Sequence, residues 1–120
     1  MNPAAPGVLV TRPAHQSAAL INQIQNLGLV AVPCPVMAIE EIQPDLAAYN
    51  LEKYHVIIFI SANAVEIGLK YLEKLPNIAE KHICAIGKQT ARHLHDRGIS
   101  HVVQADTGAD SEALLALPLF

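Results

Sequence analysis

Tryptophan is absent from this chain of 120 residues and aromatic residues make up only 4% of it, so aliphatic side chains must supply any core. Cysteine is scarce as well. Cys34 and Cys84 form no spaced motif and sit among apolar neighbours, which reads as two buried free thiols in a reducing cytoplasm rather than as a disulfide framework. Neither sign of charge dominates: the net charge is −3 and the eight Lys and Arg residues are scattered, so no basic stripe marks a nucleic-acid partner. Long apolar runs are missing too. None approaches the roughly 20 residues that span a bilayer, which argues against a membrane segment. The opening Met1-Asn2-Pro3-Ala4-Ala5-Pro6-Gly7 has neither the positive region nor the apolar core of a signal peptide, and the cytoplasm is the expected location.

What is present is an α/β pattern built from Ile, Leu, Val and Ala, in a chain long enough to bury a core. The rest is arranged around His55 to Val65. Val56 to Ile60 run together without alternation and are rich in β-branched residues, which suits a strand covered on both faces, as in a parallel sheet between helices. Ser61 and Asn63 stop the run, and both residue types favour helix starts. Asn63-x-x-Glu66 has the spacing of a capping box. In open parallel sheets the strand C-termini and helix N-termini meet at the rim where ligands bind, so Ser61-Ala62-Asn63 is the first candidate site.

Taken in order, Val8-Leu9-Val10-Thr11 reads as a short buried strand that Arg12-Pro13 ends. From His15 to Leu27, Leu20, Ile21, Ile24 and Leu27 share one helical face, and Gly28 fits the left-handed position after a helix. Leu29 to Val32 completes a strand–helix–strand unit. Pro33-Cys34-Pro35 marks a change of direction, and Val36 to Ile42 reads as an extended crossing. A short helix is expected over Leu46 to Leu51. After the central strand come a helix carrying Val65, Leu69 and Leu72, a strand over His82 to Ile86, a helix from Gln89 to Arg97 closed by Gly98, and a strand over His101 to Ala105. Asp106-Thr107-Gly108-Ala109-Asp110 forms a polar loop, and Ser111 suits the cap of a last helix through Leu117. Val8 to Val32 and Ile83 to Val103 repeat one plan, with Gly28 and Gly98 in matching places. Strands alternating with helices predict mostly parallel sheets flanked by helices. The double-proline stretch predicts that the strands are split between two sheets, neither of them complete.

Common α/β chemistries are excluded at the strand ends. No G-x-G-x-x-G follows a strand, Gly87-Lys88 lacks the upstream glycine and following hydroxyl of a P-loop, and no G-x-S-x-G occurs. His93 and His95 are two apart on a helix and face different ways, and His82 with Cys84 makes only two ligands on a strand, so no metal site is expected. What the ends share is small hydroxyl and backbone character: Thr11-Arg12, Ser61-Ala62-Asn63 and Gly87-Lys88-Gln89-Thr90. Each leads into a helix start, where amides and the dipole favour anions, and Arg12 adds a charge suited to a carboxylate. Each residue also has a plainer reading. Ser61 and Thr90 can serve only as caps, and Arg12 can pair with a surface acid.

Four segments, in order, resemble uroporphyrinogen-III synthase: Val8-Leu9-Val10-Thr11-Arg12-Pro13, Phe59-Ile60-Ser61-Ala62-Asn63-Ala64-Val65, Ala85-Ile86-Gly87-Lys88-Gln89-Thr90-Ala91 and Ala109-Asp110-Ser111-Glu112-Ala113-Leu114-Leu115. One departure is Ile60, where that family usually carries Thr. The resemblance implies two α/β domains joined by an extended connection, with the active site in the cleft between them. It assigns residues 1–34 to the opening strand–helix–strand of a first domain and residues 35–120 to the first part of an inserted second domain, both incomplete, in a chain that resembles the N-terminal half of the family.

The reaction so implied closes the linear tetrapyrrole hydroxymethylbilane to uroporphyrinogen III in heme biosynthesis, inverting ring D and losing water. Such a substrate needs its conformation controlled more than it needs a strong acid–base pair. Thr90 is the expected catalytic hydroxyl, and Thr11, Arg12, Ser61, Ala62, Asn63 and Gly87 are the expected substrate-binding residues. No metal and no organic cofactor is implied. The family's full-length protein is implied to be a monomer, whereas this chain alone is expected to be inactive and prone to associate with itself. The competing reading is a non-catalytic flavodoxin-like ligand-binding or interaction domain.

Overall fold

Two short, wholly parallel sheets carry the chain in the computed structural model, which describes residues 4–105 and 107–120. Met1-Asn2-Pro3 and Asp106, expected in the lead-in and the polar loop, lie outside the described residues. The chain divides into two compact units, Met1–Ile42 and Gln43–Phe120.

In the first unit β1 (Gly7–Val10) pairs with β2 (Val30–Pro33), Val8 opposite Ala31 and Leu9 opposite Val32. The connecting helix is shorter than the apolar spacing predicts. A 3-10 turn at Ala14–Gln16 precedes α1 (Ala18–Asn26), because Pro13 and its neighbours set a tight turn first. Strand alternation puts Val8 and Val10 on one face and Leu9, Val30 and Val32 on the other. Val10 is buried, as is Ile24 of α1. Leu9, Val30 and Val32 are 61%, 49% and 45% exposed, so that face of the sheet is bare. Val36 to Ile42 forms no regular element and leaves Val36, Met37, Ile39 and Ile42 exposed.

The second unit holds a three-stranded sheet in the order β3 (Val56–Phe59), β4 (His82–Ala85), β5 (Val102–Gln104). Helix α2 (Ala62–Leu72) follows β3, α3 (Lys88–Asp96) follows β4, and α4 (Ser111–Leu115) comes last. Phe59, Ile83 and Ala85 of the sheet form one core with Val65 and Leu69 of α2 and Ala91 and Leu94 of α3. Each fully buried aliphatic side chain there contributes about 1.5–3 kcal/mol. Helix α2 comes so close to β3 that a Cβ on Gly68 would stand 3.3 Å from the Phe59 ring.

Several sequence expectations change. The central run is not covered on both faces: β3 is an edge strand, where Ile58 is 42% exposed and Ile60, just beyond it, 68%. Its partner Cys84, on the middle strand, is fully buried. Cys34 is exposed, since the proline-flanked segment leaves the sheet before any side chain covers it. Leu46 to Leu51 makes two 3-10 turns, Leu46–Ala48 and Leu51–Lys53, rather than a helix, because Tyr49 between them is extended (φ −109°, ψ 123°). Lys81 fastens this region to the sheet. Its Nζ donates to the carbonyls of Leu51 at 2.8 Å and Tyr54 at 2.5 Å.

The repeated plan holds at the level of hydrogen bonds. Gly28 (φ +76°) and Gly98 (φ +87°) both follow helix ends in the left-handed region. After α1 the amides of Gly28 and Leu29 donate to the carbonyls of Gln25 and Ile24. After α3 those of Gly98 and Ile99 donate to His95 and Leu94. Both are Schellman closures, which satisfy two helix carbonyls and need a residue without Cβ strain at the turn.

Candidate functional site

Register places the candidate residues of the second unit. Phe59 lies opposite Ala85, and the amide of Ile86 donates to the Phe59 carbonyl at 3.0 Å, so β3 and β4 end side by side. Ser61-Ala62-Asn63 and Gly87 to Thr90 thus start neighbouring helices on one rim. Thr11 and Arg12 follow β1 in the other unit, where both are exposed.

The two helix starts on this rim are built differently. Ser61 is extended (φ −160°, ψ 164°) and half-buried, and its Oγ accepts from the amide of Ala64 at 3.1 Å. Ser61 is therefore the cap of α2. Asn63 stands inside the first turn, so the expected Asn63–Glu66 capping box does not form. Gly87 caps α3 with no side-chain hydrogen bond at φ +86° and ψ 154°, a region open in practice only to glycine. A Cβ there would meet only Ala109 Cβ at 3.6 Å, an ordinary contact, so the backbone and not space selects glycine. Neither first turn holds an acidic residue. The third cap is displaced from its expected position. Asp110, not Ser111, starts α4, its Oδ1 accepting from the Ala113 amide at 2.8 Å.

Thr90 is 5% exposed and shares the buried side of α3 with Ala91 and Leu94. It is the most deeply seated hydroxyl of the candidate set. No buried side-chain oxygen or nitrogen among the described residues is left without a partner, so the helix start carries no orphaned polar atom. Among the described residues no group of three or more His, Cys, Asp or Glu side chains comes together to hold a metal ion. Cavities of about 250, 300 and 370 Å³ open elsewhere in this unit, and Lys81, just before β4, borders all three. Lys88 opens α3 on the rim, and Arg92 follows one helical turn later, at the middle of the helix.

Parallel strands that deliver polar turns to adjacent helix starts define an α/β protein, a class whose ligands bind at the strand-end rim. The chain belongs to the uroporphyrinogen-III synthase HemD family, whose model matches residues 18–119. It is 37% identical over 101 residues to a uroporphyrinogen-III synthase of Chlorobaculum parvum, covering 78% of this chain and 39% of that protein. A porphyrin biosynthesis protein HemD of Ruminiclostridium josui is 29% identical over 100 residues, covering 77% of this chain and 20% of the relative. The crystal structure of uroporphyrinogen-III synthetase from Helicobacter pylori has the same fold, with a TM-score of 0.71 at 23% identity over 94% of this chain and 52% of that one. The chain thus spans about half, or less, of the length of the proteins it matches. No helix among the described residues is long and apolar enough to cross a membrane.

Proposed function

We propose that this chain supplies the N-terminal half of a uroporphyrinogen-III synthase, a cyclising lyase of heme biosynthesis that acts in the cytoplasm on the small molecule hydroxymethylbilane. Residues 1–34 begin the first domain and residues 35–120 the second. One observation carries the reading. In a chain of this family, the Ser61 and Gly87 helix starts stand side by side on one rim, which suits a polycarboxylate held by amides, hydroxyls and cations. Ser61, Ala62, Asn63 and Gly87 bind substrate there, and Thr11 and Arg12 do so from the first domain. Thr90 orients the substrate or assists departure of its hydroxyl. Its seat on the inner side of α3 suits a fixed hydroxyl better than a mobile one.

The 120-residue chain alone is expected to form no uroporphyrinogen III from hydroxymethylbilane above the spontaneous type I background. Type III product well above that background would overturn its inactivity. In a full-length protein containing these residues, Thr90→Ala is expected to abolish most turnover while leaving the circular dichroism spectrum intact. Unchanged turnover would remove Thr90 from the site.

A further inference from the structure

At the end of the sheet opposite the rim, one side chain carries on where strand pairing stops. The β3–β4 ladder begins with the His82 amide donating to the His55 carbonyl at 2.9 Å. One residue earlier the Lys81 ammonium takes over, donating to the carbonyls of Tyr54 and Leu51, 27 and 30 residues back in the chain. Those oxygens belong to the end of the 3-10 turn Leu51–Lys53, whose last residue is followed by Tyr54 as its cap, a place that favours a cation. Little else holds this part of the chain. Among the described residues the main-chain hydrogen bonds of residues 44–54 stay inside it, from the amides of Ala48, Tyr49, Lys53 and Tyr54 to the carbonyls of Asp45, Leu46, Asn50 and Leu51. Only Leu46 and Leu51 are half-buried, while Tyr49 and Tyr54 are 57% and 53% exposed. Nor is the segment close-packed: Tyr49 and Leu51 share with Leu75 the lining of cavities of about 250 and 370 Å³, the larger of which Val56, Ile57 and Leu72 also border.

We propose that residues 45–54 form a strap over the start of β3 that opens as a unit, and that Lys81 is the clasp that holds it shut. Voids forfeit the dispersion contacts of the atoms that line them, so two half-buried leucines grip weakly here. Hydrogen bonds from a charged donor are stronger than neutral ones, which makes the ammonium the main attachment. Both bonds start from one nitrogen, so the strap is released as a whole when that nitrogen leaves. The core around Phe59, Val65, Leu69 and Ile83 includes no residue of the strap, which can therefore lift without unpacking it. Segments with few buried contacts and exposed backbone occupy the low end of local stability. Opening bares Val56, Ile57 and Leu72 around the larger cavity. This device stands apart from the rim and does not depend on the proposed function.

The test is limited trypsin digestion of the 120-residue chain together with native-state amide hydrogen exchange, both read by mass spectrometry. Lys53 lies in the strap, and cleavage after it reports the open population. Lys81→Met keeps the apolar stem and removes the ammonium. It is expected to speed cleavage after Lys53, and exchange at the Tyr49 and Tyr54 amides, by about tenfold or more, as loss of a charge-assisted hydrogen bond requires. Exchange at the amides of Ile83, Cys84 and Ala85 should change by less than about twofold, since the sheet opens by a separate and costlier route. Lys81→Arg, whose guanidinium offers several donors, is expected to keep the parent rates. Equal rates in the parent and Lys81→Met would overturn the clasp. Equal acceleration of strap and β4 amides would overturn the strap, because the segment would then open only with the sheet.

Discussion

Cys84 sits fully buried on the middle strand, and removal from water raises its thiol pKa above the ordinary 9.0, because burial penalises the thiolate. In the unfolded chain the thiol ionises at its ordinary value, while the folded chain holds the proton to higher pH. Between those two values the folded state binds more protons, so stability falls as pH rises through that window. Below it the contribution is fully present. The urea midpoint is therefore expected to decline above about pH 9, with that part of the decline missing in Cys84→Ala. Cys34, exposed between two prolines, is expected to react with a thiol reagent in the native chain, whereas Cys84 reacts only in denaturant. The sequence made Cys84 legible as a buried thiol and misplaced Cys34. Apolar neighbours along the chain do not bury a residue when the prolines beside it carry the backbone out of the sheet.

At the scale of elements, helix ends were easier to read than helix starts. Gly28 and Gly98 were legible from position alone, since each follows an amphipathic stretch and only glycine closes such an end without strain. The start of α4 was misplaced and that of α2 was left between Ser61 and Asn63, because Ser61, Asn63, Asp110 and Ser111 can all cap. Backbone geometry chose the first of each pair, since that residue is extended while the next is already helical. The two starts on the rim should therefore respond differently to loss of their caps. Ser61→Ala removes one hydrogen bond and is expected to cost about 1 kcal/mol. Gly87→Ala forces a Cβ into backbone space that side chains avoid and is expected to cost about 1–3 kcal/mol. Urea unfolding of the two variants checks both, and a Gly87→Ala variant as stable as the parent would contradict the backbone argument. The short helix expected over Leu46 to Leu51 failed for a related reason. Its apolar spacing is helical, but six residues gain too little from it to resist two separate 3-10 turns anchored by Lys81.

For the molecule as a whole, the split of its strands between two sheets was legible, because Pro33-Cys34-Pro35 interrupts an otherwise regular alternation. The unequal cover of those sheets was not, since apolar strand residues look alike whether or not something lies over them. The first unit has α1 on one face of β1 and β2 and bare Leu9, Val30 and Val32 on the other. Parallel strands are ordinarily covered on both faces, and an apolar patch of this kind favours association. The chain is expected to show a concentration-dependent increase in mass by analytical ultracentrifugation, and Leu9→Lys/Val32→Lys to shift it toward monomer. A parent chain that stays monomeric at high concentration would contradict this.

The bare face also has a consequence for synthesis. β1, α1 and β2 end at Pro33 and so are synthesised before any residue of the second unit, Gln43–Phe120. Taken alone, this segment is a two-stranded sheet, marginal by itself, with one greasy side open to solvent. During translation that side resembles the surface chaperones hold and proteases sample. The lifetime of the nascent chain then depends on how soon something covers Leu9, Val30 and Val32, and translation speed past Pro33 becomes a determinant of yield.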